Sequence, residues 1–134
     1  MRRLLLIAVL MLAAPLAPPA WAQGEPEWRQ AATFDVLLEP FDIEPGELRL
    51  EAGRPVRLRF VNSGQRSLSF SAPGFFRAAQ IRRGEGDDLA DGSFRLEAGE
   101  RRTIVLVPAA GRYSMRSANF LHRLLGMSGR IVVE

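Results

Sequence analysis

Residues 47–62 read ELRLEAGRPVRLRFVN. Leu48 and Leu50 alternate with Glu47, Arg49 and Glu51. Beyond a turn built on Gly53 and Pro55 the alternation resumes, with Leu58 and Phe60 on one side and Arg57 and Arg59 on the other. Successive side chains of a strand point to opposite faces, so an apolar residue at every second position marks a strand with one face in a core and one in water. Two such strands in a row predict sheet.

The same reading extends in both directions. Residues 33–38 (TFDVLL) predict a first strand, and 41–46 (FDIEPG) a turn-rich connection. After the turn residues 62–65 (NSGQ), residues 67–71 form a short strand with Leu68 and Phe70 on one face. Residues 75–81 (FFRAAQI) lack alternation and predict a helical turn or two. Residues 84–92 (GEGDDLADG) read as a flexible acidic loop. Strands follow at 93–96, 101–107, 111–117 and 129–134, and 119–125 (NFLHRLL) reads as a loop or one helical turn. About seven short strands at this spacing, punctuated by turns, predict an antiparallel sandwich or barrel. No long amphipathic helix separates the strands, which disfavours a doubly wound α/β fold. The phrase LEAG occurs at 50–53 and 96–99, but its flanks do not match, so it reads as a shared way of turning into a strand.

The chain has 134 residues, with 18 basic and 15 acidic side chains, one histidine and no cysteine. That length predicts one compact unit and not a large multidomain enzyme. Without cysteine there is no disulfide, zinc finger, iron–sulfur cluster, thiol nucleophile or thiolate-bound copper. All the basic residues are arginine, and along the sequence they alternate with acidic residues instead of clustering. That predicts no nucleic-acid footprint, which needs a basic stripe or patch.

Residues 1–22 (MRRLLLIAVLMLAAPLAPPAWA) open with Arg2 and Arg3, continue with an apolar run and close on Ala20-Trp21-Ala22. This is the layout of an export signal with a small-x-small cleavage site. The apolar run is shorter than the ~20 residues a spanning helix needs, and prolines interrupt its second half. Cleavage after Ala22 is expected, delivering a periplasmic or secreted protein with a balance of +1, from sixteen arginines and fifteen acidic residues. Residues 23–32 read as a mobile lead-in, and residues 33–134 as the folded domain.

The stretch 111–133 contains Gly111-Arg112-Tyr113, then Ser117, His122 and Gly126-Met127-Ser128-Gly129-Arg130-Ile131-Val132-Val133. It resembles the end of a cupredoxin, the small blue-copper family, whose pattern is G-x-Y, a cysteine, a histidine a few residues on, and GMxGxIxV in the last strand. Residues 51–62 and the strand 99–107 match further, so the resemblance covers about residues 33–134. It implies an all-β, cupredoxin-like Greek-key sandwich or barrel of about seven strands with one short helical segment. The family's copper is held by two histidines, a cysteine and a weak axial methionine. Carried over position by position, the resemblance puts His122 on the second histidine and Met127 on the methionine. Ser117 falls on the cysteine, and Leu68, in the phrase Leu68-Ser69-Phe70, on the first histidine.

Two of the four donors are therefore replaced, and the resemblance implies a degenerate member with no type 1 copper site and no bound cofactor. His122 and Met127, with Met115 as a third donor, remain capable of holding copper weakly, since imidazole and thioether both suit it. Ser114 and Ser117 lie near His122 in this layout, but no Gly-x-Ser-x-Gly phrase accompanies them, and no catalysis is expected. The acidic loop lacks the spacing of a calcium loop. Phe75, Phe76, Phe120, Leu121, Leu124 and Leu125 are expected at the end of the sandwich around the former metal position, as core or as a docking patch for another periplasmic protein. The expected function is an exported binding or accessory domain, not an enzyme. The alternative is a periplasmic copper-binding or copper-delivery protein using His122 and Met127.

Overall fold

The computed structural model describes residues 26–124 and 126–134. Residues 1–22, expected to be an export signal, and Leu125 lie outside that range, as do the side chains of Phe120 and Leu121. A 3-10 turn at Trp28–Gln30 leads into β1 (Ala32–Glu39), followed by β2 (Asp42–Glu44), β3 (Glu47–Leu50), β4 (Val56–Asn62) and β5 (Leu68–Ser71). Helix α1 (Pro73–Ala78) and β6 (Gln80–Ile81) come next. The chain then forms β7 (Ser93–Leu96), β8 (Arg101–Val107), β9 (Gly111–Arg116), α2 (Phe120–Leu124) and β10 (Ser128–Val133). Sheet one has the order β2-β1-β4-β8-β6 and sheet two the order β3-β10-β9-β5-β7.

The alternation that defines β3 and β4 in the sequence appears directly as burial. Leu48, Leu50, Val56, Leu58 and Phe60 are buried, while Glu47, Arg49 and Arg59 are exposed. The two inner faces meet in one core, with Phe60 against Phe70 at 4.8 Å and against Phe94 at 5.0 Å between ring centroids. Each fully buried side chain of this size contributes about 1.5–3 kcal/mol of transfer free energy. Phe75 and Phe76, from α1, join this core, so they are not part of a surface patch.

Four features differ from the sequence expectation. The structure has ten strands and two short helices among the described residues, because β2 and β6 are too short to show a period of two. The sandwich is not purely antiparallel: β1 runs parallel to β4, and β10 parallel to β3. The chain leaves sheet one after β2, passes through β3 in sheet two and returns as β4, and such a crossover produces parallel neighbours. The acidic loop is tied down at two points. Glu85 accepts from the Val105 amide at 2.6 Å and pairs with Arg82. Asp88 pairs with Arg102, whose guanidinium also lies 5.0 Å from the centre of the Phe94 ring. Finally, five of the arginines that alternate with acids in sequence are gathered by sheet two onto one face, as described below.

Candidate functional site

Sheet two brings the four positions singled out by the sequence to one end of the sandwich. β9 ends at Arg116, and the Ser117 amide donates to the Met127 carbonyl at 3.0 Å. The Met127 amide donates in turn to the His122 carbonyl at 2.9 Å, which closes the loop between β9 and β10. Two glycines make this path available. Gly126 has φ +105°, a conformation that side chains rarely adopt. A Cβ on Gly129 would lie 2.6 Å from the Gly46 carbonyl oxygen and 2.8 Å from the end of Met115, so only glycine lets β10 approach there. Met115 and Met127 are both fully buried.

The β5 side of the site is closed and satisfied. Leu68 is 3% exposed and stands opposite Leu96 on β7. Its strand is anchored by the buried Asn62, whose side-chain amide donates to the carbonyls of Arg66, Leu96 and Glu97 at 2.8–3.1 Å and accepts from the Gly64 amide at 2.9 Å. Ser117 is fully buried, and its Oγ lies 3.3 Å from the Oγ of Ser69. Each hydroxyl also caps the loop that follows: Ser117 accepts from the Asn119 amide and Ser69 from the Ala118 amide, both at 3.1 Å. Both serine oxygens are thus engaged without His122. Ser114 sits one residue from the buried Met115 and is exposed on the outer side of β9, so no serine–histidine pair forms.

The loop side is open. His122 is half-buried, and its Nδ1 is buried without a hydrogen-bond partner. Phe41, in the turn between β1 and β2, meets the imidazole edge-on with ring centroids 5.3 Å apart. Phe41 has φ +67° and is 46% exposed, an unfavourable backbone conformation for a large side chain. Leu124, on α2, is 68% exposed. His122, Phe41, Leu68 and Arg66 help line a groove of about 630 Å³ that continues past Ser67 and Leu68 toward Arg95 and Asn119. Among the described residues no carboxylate lines either part.

Phe41 and Ser69 are the residues that sequence reasoning missed. The turn-rich stretch 41–46 marks the first as a loop residue but not as a neighbour of His122, and the second shows its role only once β5 and the loop after β9 are adjacent. Among the described residues no cluster of three or more histidine, cysteine, aspartate or glutamate side chains is suited to a metal ion. The carboxylates whose acidity is altered lie elsewhere. The hydrogen bond from Arg59 holds Asp35 below the usual carboxylate range, and that from Arg102 does the same for Asp88.

No family model matches the chain. Solved structures with this architecture include auracyanin B, with a TM-score of 0.57 and 21% identity, covering 78% of this chain and 89% of that one. Sodium-dithionite-reduced auracyanin from Roseiflexus castenholzii aligns with a TM-score of 0.57 and 16% identity, over 78% of this chain and 98% of that one. A multicopper oxidase aligns with a TM-score of 0.55 and 15% identity, over 77% of this chain but 44% of that one. The fold is a cupredoxin-like β-sandwich.

Proposed function

We propose that this protein is an exported cupredoxin-like binding or accessory domain that works without a thiolate-bound copper centre and has no electron-transfer or catalytic role. The observation that carries this reading is the state of the two replaced positions. Leu68 offers only hydrocarbon and is packed into the core, while Ser117 offers a hydroxyl already committed to Ser69 and Asn119. With no cysteine in the chain, the donor set does not fit a type 1 centre, whose electronic character depends on the thiolate. The exposed Phe41 meets His122 edge-on, and the exposed Leu124 lies two residues further along α2. In this reading they form the contact surface for another protein of the same exported compartment. Among the described residues no helix is long and apolar enough to cross a membrane.

One observation favours a second reading, a copper-binding or copper-delivery protein. The unpartnered Nδ1 of His122 is an available donor on the same loop as the Met127 thioether, and imidazole with thioether suits reduced copper. Titration of the purified protein with Cu(I) and Cu(II) separates the two. The first reading predicts no binding below micromolar metal. Tight one-to-one binding that is lost in His122→Ala would replace it with the second.

A further inference from the structure

The outer face of sheet two is strongly cationic. Residues directly opposite across a strand pair share a face. The pairings of Arg130 with Glu47, of Val132 with Arg49 and Arg112, of Arg116 with Ser128 and Ser71, and of Arg95 with Ser69 put five arginines on this side. They are Arg49, Arg95, Arg112, Arg116 and Arg130, all exposed, against two carboxylates that pair with arginines of the face: Glu47, and Glu97 just past β7, which lies 3.6 Å from the Arg95 guanidinium. The outer face of sheet one is mixed: Arg57, Arg59 and Arg101 stand there with Asp35, Glu39, Asp42 and Glu44. The charge asymmetry is invisible in the sequence because its arginines come from four strands that only the sheet makes adjacent.

We propose that this face docks an acidic segment of a partner protein. Glu47 already shows how a carboxylate is received here, lying 3.0 Å from the Arg49 guanidinium and 3.7 Å from that of Arg130. Arg112 and Arg116, on the neighbouring strand β9, have no ion-pair partner among the described residues. A rise of about 3.4 Å per residue sets their Cα atoms roughly 13–14 Å apart, the spacing of positions i and i+4 in an extended chain. Between them stands the small Ser114, directly across from Arg130 on β10. Arginine's planar donor fork binds a carboxylate through two bonds, and the surplus positive charge steers an acidic partner toward the face.

An anionic bilayer fits less well, because surface-binding elements insert apolar side chains, and the exposed Phe41 and Leu124 sit at the His122 end instead. A nucleic acid fits less well too, since among the described residues the face offers no aromatic side chain for stacking and no protruding element to enter a groove. The proposal does not depend on the reading of the His122 end.

The test is fluorescence anisotropy of a labelled oligoglutamate peptide titrated with the purified protein. Saturable binding is expected at low salt, weakening as screening shortens the reach of the charges. Arg112→Gln with Arg116→Gln should lower the affinity about tenfold, whereas Arg57→Gln with Arg101→Gln on the opposite face should change it less than about twofold. Equal losses from the two pairs, absence of saturable binding at low salt, or tighter binding to phosphatidylglycerol vesicles or duplex DNA under the same conditions would each overturn it. Circular dichroism on both double variants checks that these exposed substitutions leave the fold intact.

Discussion

The two sides of the candidate site are built on opposite principles. On the β5 side, Leu68 is buried in the core between the sheets, and the hydroxyls of Ser69 and Ser117 satisfy each other and the loop amides. On the loop side, His122 keeps an unpartnered ring nitrogen, Phe41 holds a strained backbone and Leu124 projects outward. A buried polar atom without a partner costs free energy, and so does a large residue at positive φ. The β5 side therefore has the features of a region adapted for stability. The loop side retains features that stability does not explain, and these are the ones a ligand or partner contact would use.

This contrast predicts a graded response to substitution. Leu68→Ala removes core volume from the closed side and should lower unfolding stability by about 2–5 kcal/mol, measured by urea denaturation. Ser117→Ala leaves the Asn119 amide unsatisfied and takes a partner from Ser69, at a cost of roughly 1–3 kcal/mol. Phe41→Gly should behave differently, because relief of the positive φ offsets the lost ring contact. A net change within about 1 kcal/mol is expected. A loss as large as that of Leu68→Ala would mean that Phe41 belongs with the packed side, and the contrast would fail.

The smallest effect concerns pH. Arg102 depresses the folded-state pKa of Asp88, first through the side-chain hydrogen bond and further through its charge. A depressed carboxylate pKa contributes stability above the ordinary aspartate value, and that contribution is lost as pH falls through the lower folded value. Thermal melts of Asp88→Asn should therefore differ from those of the parent at neutral pH and converge with them in acid. Because Asp88 is exposed, screening keeps the difference small.

Much of the fold is legible along the chain. The alternation in residues 47–62 specifies β3 and β4, and β7 and β8 fall at their expected positions. What is not legible is non-local. β2 carries only Ile43 as a core residue and has no measurable period. The parallel pairing of β1 with β4 depends on which sheet the chain visits between them. In the site, the phrase Leu68-Ser69-Phe70 already shows an apolar residue where the resemblance aligns the first histidine. The edge contact of Phe41 with His122 joins residues far apart in sequence, and no local pattern signals it. The arginines of sheet two teach the same lesson: each looks like an ordinary solvated strand residue, and only the strand order makes them one surface.

The central claim is that a cupredoxin-like frame persists here while hydrocarbon and a hydroxyl occupy two of its donor positions. The most direct measurement is the visible absorption spectrum of a Leu68→His and Ser117→Cys double variant after addition of Cu(II), beside that of the parent protein. The account predicts an intense visible band in the variant and none in the parent. A correctly folded variant that stays colourless would contradict the placement of Leu68 and Ser117 on which the account rests.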